Sequence, residues 1–155
     1  MKICFSLLIV FFTLQVDAQK IIDFDQFIER THQQNDTLYV VNFWATWCKP
    51  CIAEIPAFEK LNSELKSSPV KIILLSLDFK SQSSNVEAFI NKNGIQSETA
   101  LLSAGNPNSW IDKIDESWSG AIPATVYYRN SEKLEFHEGD YSEETLKNSI
   151  NKLTQ

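Results

Sequence analysis

The chain has 155 residues and a formal net charge of -6 at pH 7, with 22% charged and 43% hydrophobic residues. That length suits one domain, and the acidic balance argues against nucleic acid and anionic membrane surfaces as partners. The chain has few glycines and prolines, 4 and 5, with no low-complexity segment and no internal repeat.

Residues 1–18 read as a secretory signal peptide. Lys2 precedes an apolar run from Ile3 to Leu14, and Val16-Asp17-Ala18 makes a small-residue cleavage pattern. The run is about 12 residues, short of the ~20 that a membrane-spanning helix needs. Residues 19–155 are then the folded domain. Lys2 and Asp17 leave together, so its charge stays at -6. Cys4 leaves with the leader, which makes Cys48 and Cys51 the domain's cysteines.

Asp23 to Gln34 carries Phe24, Phe27 and Ile28 on one face, at helical spacing. Thr37 to Trp44 is β-branched, aromatic and apolar almost throughout, as in a strand covered on both faces. Beyond the cysteines, Ile52, Ile55, Phe58, Leu61 and Leu65 repeat at threes and fours. They predict an amphipathic helix, with a kink at Pro56. Val70 to Leu77 is a second buried strand, and Asn85 to Asn93 is a helix stopped by Gly94. Thr99 to Leu102 reads as a short strand and Pro107 to Ile114 as a helix with proline in its first turn. Thr125 to Arg129 and Lys133 to His137 flank a short turn and predict an antiparallel hairpin. Ser142 to Leu153 is the last helix, with Ser142 as N-cap and Thr145 where a capping box would place Glu. Strands alternating with helices imply a layered α/β fold whose sheet is mostly parallel, made mixed by the closing hairpin.

Such a sheet presents its reactive groups beyond the carboxyl ends of its strands. The segment from Trp44 to Cys48 lies there, and the run WCKPC places two cysteines one helical turn apart. As a staple the pair is poor, because a loop this short removes little entropy from the unfolded chain. As a structural zinc site it is incomplete, because His32 and His137 are far apart and on unrelated elements. As a reagent it is well placed. Cys48 sits at or before the first turn of a helix, where unpaired N–H groups and the helix dipole favour a thiolate. Lys49 is either a solvated charge or a further aid to that anion. Cys51, more shielded on the same face, is placed to attack a mixed disulfide formed by Cys48.

WCKPC after the strand VVNFWAT, with Ile122-Pro123 ahead of another strand, resembles the thioredoxin superfamily along essentially the whole of residues 19–155. Within it, VNFWATWC followed by Glu54 and Pro56 is most similar to exported thiol–disulfide oxidoreductases of the TlpA/ResA type. So is the additional helix and strand at about 84–104. The resemblance implies a thioredoxin-like three-layer fold with a central mixed, mostly parallel sheet and a TlpA/ResA-type helix–strand insertion. It also implies a cis bond before Pro123, facing the cysteines, and a backbone at Ile122 that pairs with an extended substrate segment. Two departures stand out. Lys20 to Gln34 suggests a short strand and helix where the family often opens with a hairpin. Asn42 stands where thioredoxin carries a buried Asp.

By the same resemblance Glu54 assists proton transfer to and from Cys51; the alternative is an acid that steadies the helix start. Trp47 is expected to be exposed, as an apolar rim for partners. Trp44 is expected to be partly buried, with Trp110 and Trp118 in the core. The function implied is exchange of electrons with exported protein disulfides, chiefly as a reductase. No cofactor is needed beyond a redox-active Cys48–Cys51 disulfide, and a membrane thiol carrier is the electron donor. The chain is expected to act as a monomer in the periplasm or otherwise outside the cytoplasm. An oxidase or isomerase role and a non-enzymatic metal-binding module are the alternatives. A peroxidase lacks support, because Thr46 stands two residues before Cys48 rather than the three of the Pro-x-x-x-Thr-x-x-Cys motif.

Overall fold

The computed structural model describes residues 20–155. The expected signal peptide lies outside the described residues. Six strands form one sheet in the order β1-β4-β3-β2-β5-β6. They are β1 (Ile21–Ile22), β2 (Leu38–Trp44), β3 (Val70–Ser76), β4 (Glu98–Leu102), β5 (Ala124–Arg129) and β6 (Glu132–Glu138). The first four are mutually parallel, while β5 runs antiparallel to β2 and β6 antiparallel to β5. The helices are α1 (Phe24–Thr31), α2 (Lys49–Glu64), α3 (Ser83–Asn93), α4 (Ile111–Ile114) and α5 (Glu143–Thr154).

The period-2 alternation of β2 sorts its side chains between two cores. Leu38, Val40 and Trp44 join Phe58 and Leu61 of α2, Val86 of α3 and Leu146 and Ile150 of α5. Tyr39, Val41 and Phe43 join Phe27 of α1, Ile114 of α4, Trp110 and Trp118. The result is three layers: α2, α3 and α5 on one face, α1 and α4 on the other. Every residue of β2 is buried, as its apolar sequence predicts.

Local chemistry explains most element ends. Asp23 caps α1 through a reciprocal box with Gln26. Gly94 closes α3 in the left-handed region, at φ 62°. Thr145 closes the box at the start of α5: its hydroxyl accepts the N–H of Ser142 while Ser142 Oγ accepts the N–H of Thr145. A short hydroxyl thus replaces the longer Glu. The β5–β6 turn is tight, with Asn130 and Ser131 both at positive φ (50° and 66°), the conformation that matches strand twist in two-residue hairpins. Helix α2 is continuous through Pro56.

Two expectations are corrected. Residues 107–114 do not form one helix. A 3-10 turn at Pro107–Ser109 is followed by α4, with Trp110 between them at φ -136°, ψ -20°. The break turns the Trp110 ring into the core against Phe24, Phe43 and Trp118. Trp44, expected to be partly buried, is 0% exposed. Its place in β2 points it under α2 and α3, where Phe89 packs at 5.2 Å.

Candidate active site: a dithiol pair at a helix start

Strand β2 ends at Trp44, and four residues later the chain enters α2 at its N-cap, Cys48. Proline suits position 50, inside the first turn, where its missing N–H would have had no helical partner. Cys48 and Cys51 are joined in a disulfide of 2.07 Å. The Cys51 N–H donates to Cys48 Sγ at 3.3 Å, so the sulfur occupies the position of a capping oxygen. Cys48 is 5% exposed and Cys51 is 0% exposed. Of the two, Cys48 is the sulfur a partner can reach.

The corner carrying Cys48 is tied down from β3. Thr46 donates its N–H to Asp78 Oδ2 at 2.9 Å and its hydroxyl to Asp78 Oδ1 at 2.6 Å. Ser76 adds its hydroxyl to Oδ2 at 2.8 Å. Asp78 is buried, and these bonds supply the pairing a buried carboxylate requires. Sequence reading did not single out this clamp. Its only local signal is an acid just past an apolar strand.

On the opposite side, the Ile122–Pro123 bond is cis. The Ile122 carbonyl oxygen lies 3.7 Å from Cys48 Sγ. Pro123 is buried, and its carbonyl accepts the Gly139 N–H at 2.9 Å. Trp118 Nε1 donates to the Ala121 carbonyl at 2.8 Å, and Ser119 donates its N–H to Glu138 at 2.8 Å, holding the approach to Ile122. Trp47 is 62% exposed. With Phe79, Ile111, Trp118 and Ile122 it lines a groove of about 400 Å³ beside the disulfide. Phe79, exposed like Trp47, went unnoticed in the sequence because it lies outside any periodic segment.

Glu54 sits on α2, one turn beyond Cys51, and is buried. It is not in the first turn of the helix, which contains no acid. The role of a first-turn acid is therefore excluded. Its Oε1 accepts the Asn42 side-chain N–H at 2.7 Å, and its Oε2 accepts the Tyr141 backbone N–H at 2.7 Å. Burial pushes the carboxyl up to about 7 from its usual 4.5, the charge of Asp140 adds to that, and the two N–H donors oppose it. The histidines are not part of the site pair's surroundings as a set. His32 ends α1 and packs on Tyr128, whereas His137, in β6, packs on Tyr141. Among the described residues no group of three or more His, Cys, Asp or Glu side chains converges as metal ligands would.

A three-layer thioredoxin-like fold carrying a CxxC disulfide at a helix start defines the class of this protein. The chain belongs to the AhpC/TSA family, whose model matches residues 11–135. Among curated proteins it is similar to the thiol-disulfide oxidoreductase ResA of Oceanobacillus iheyensis, with 51% identity over 39 residues, which is 25% of this chain and 20% of that protein. It is also similar to ResA of Bacillus thuringiensis subsp. konkukian, with 26% identity over 117 residues, covering 74% of this chain and 62% of that protein. The chain therefore spans less than two thirds of the length of these relatives. Among solved structures, a thioredoxin-related protein from Neisseria meningitidis serogroup B superposes with a TM-score of 0.65 at 23% identity, covering 77% of this chain and 86% of that one. That likeness carries the fold.

Proposed function

We propose that this chain is an exported protein thiol–disulfide oxidoreductase acting chiefly as a disulfide reductase. The observation that carries the reading is Cys48 Sγ at the N-cap of α2, accepting the Cys51 N–H. Donors fixed there stabilise a sulfur anion without rearrangement, which lowers the cost of both forming the nucleophile and releasing it.

In the reduced protein, the Cys48 thiolate attacks one sulfur of a substrate disulfide. A Cys48–substrate disulfide forms and the other substrate sulfur leaves as a thiolate. Cys51 gives its proton to Glu54 and attacks Cys48 Sγ. The mixed disulfide breaks, the second substrate thiolate leaves, and the Cys48–Cys51 disulfide remains. Two electrons have passed to the substrate, and a membrane thiol donor restores the dithiol. The Ile122 backbone and the rim of Trp47 receive the substrate chain, as strand-like pairing beside Pro123. No metal or organic cofactor takes part. Residues 1–18 direct export, and the domain works as a monomer outside the cytoplasm. Among the described residues no helix is long and apolar enough to cross a membrane.

A redox titration of the purified domain followed by insulin-reduction turnover tests this. A potential near that of thioredoxin, about -270 mV, with turnover supports reductase function; one near the strong oxidants, about -120 mV, replaces it with an oxidase. Absence of any thiol–disulfide exchange overturns both.

A further inference from the structure

We propose that Asn42 is a positioning residue that keeps Glu54 available as a proton acceptor, by aiming its buried side-chain amide nitrogen at both the carboxylate and Thr125. The inference rests on the reading of Glu54 as the proton partner of Cys51 and assigns the residue that makes that role possible.

Asn42 and Thr125 are cross-strand partners in the β2–β5 register, and both are completely buried. Alternation points both toward α2, under Glu54. Asn42 Nδ2 donates to Glu54 Oε1 at 2.7 Å and to Thr125 Oγ1 at 3.2 Å. Asn42 Oδ1 has no hydrogen-bond partner. In this orientation the amide nitrogen donates to both oxygens. The opposite orientation would set its oxygen against an ionised carboxylate, two acceptors with no proton between them.

A carboxylate 3% exposed needs donors to ionise at all. Glu54 has two, the backbone N–H of Tyr141 and the side chain of Asn42. Only the second can be varied through a side chain. The other groups around Glu54 do not replace it. Cys51 precedes it on α2. Asp140, beside Tyr141, brings a charge of the same sign. From β6, His137 is paired with Thr125 and its ring lies 4.2 Å from that of Tyr141. Removing the Asn42 donor leaves burial and Asp140 opposed by Tyr141 alone. Glu54 then stays protonated at neutral pH and has no place for the Cys51 proton.

The test follows the carboxyl band of Glu54 by infrared spectroscopy across a pH series in the oxidised protein, assigned by its loss in Glu54→Gln. The wild-type midpoint is expected at about 7. Asn42→Leu keeps the volume and removes the donor, and should raise the midpoint by about 1 to 2 pH units. Asn42→Asp should give two separated steps, because adjoining buried carboxyls share a proton. Thr125→Val loosens the amide and should raise the midpoint by less. An unchanged midpoint in Asn42→Leu overturns the proposal. If that variant does not fold, an unchanged midpoint in Thr125→Val does so. The oxidised protein carries no free thiol in the domain, so these outcomes stand apart from the thiol chemistry. Should the dithiol reading fail, wild-type Cys48 would alkylate sluggishly while the Glu54 midpoints still moved.

Discussion

Cys48 Sγ and the backbone N–H of Cys51 are hydrogen-bonded across the first turn of α2 at 3.3 Å. The same turn holds both sulfurs and supplies the donor for the more exposed one. This asymmetry predicts distinct reactivities. In the reduced protein Cys48 should alkylate faster than Cys51, and at lower pH than free cysteine does. Cys51→Ala should accumulate a covalent adduct with a disulfide substrate, and Cys48→Ala should not. Mass spectrometry of the adducts decides between the two sulfurs, and trapping only in Cys48→Ala would reverse the assignment.

Glu54 predicts a pH dependence of stability. Its folded midpoint of about 7 lies above its ordinary 4.5, so between these values the folded state holds a proton the unfolded chain has released. Stability from this group is full below about 4.5 and falls as pH rises through about 7. The loss is on the order of 2 kcal/mol after allowing for relaxation and water access. Urea unfolding of wild type and Glu54→Gln across that window should show the variant's curve flatter. Parallel curves would remove Glu54 as the titrating group.

Trp47→Ala should separate docking from folding. The side chain is 62% exposed, so stability should change by no more than about 0.5 kcal/mol. KM for a protein disulfide should rise several-fold with kcat little altered, since an apolar rim binds ground and transition states alike. Steady-state insulin reduction measures both, and an unchanged KM would leave the rim without a docking role.

Asp78→Ala should cost about 2 to 4 kcal/mol, because it leaves the Thr46 N–H and two hydroxyls without their acceptor. Chemical denaturation reads the loss directly. Cys48 alkylation should slow in the same variant, since the corner bearing Thr46 and Trp47 is no longer fixed to β3.

Gly120 lies at φ +88°, and an added Cβ would stand 3.1 Å from Ile111 Cδ1. Gly120→Ala should therefore lower stability by about 1 to 2 kcal/mol. Because the residue leads into Ala121 and Ile122, turnover should fall more than stability alone explains. Equal stability of variant and wild type in thermal unfolding would contradict the backbone requirement.

Much of the fold was legible because its determinants are local. The apolar run of β2 announced a strand buried on both faces, and the spacing from Ile52 to Leu61 announced the buried stripe of α2. The position of Cys48 as a helix cap followed from the strand before it and the amphipathic pattern after it. Where local preference and tertiary packing disagreed, packing prevailed. Residues 107–114 have a helical pattern, yet the chain breaks at Trp110 because its ring fills the space between Phe24, Phe43 and Trp118.

By itself the sequence determined the order of the main strands and helices and the cysteine pair at a helix start. Periodicity, capping and loop entropy act over a few residues, so they can be read without coordinates. Only the tertiary structure decided which distant groups share the site. It brought Tyr141 to Glu54 across 87 residues and Thr125 to Asn42 across 83, and it set the distance of Ile122, expected by resemblance to face the cysteines, at 3.7 Å from Cys48 Sγ. Those meetings depend on strand register and on which face each helix covers. A shift of one residue in β2 or β5 would turn Asn42 or Thr125 away from Glu54, and no local signal records that choice.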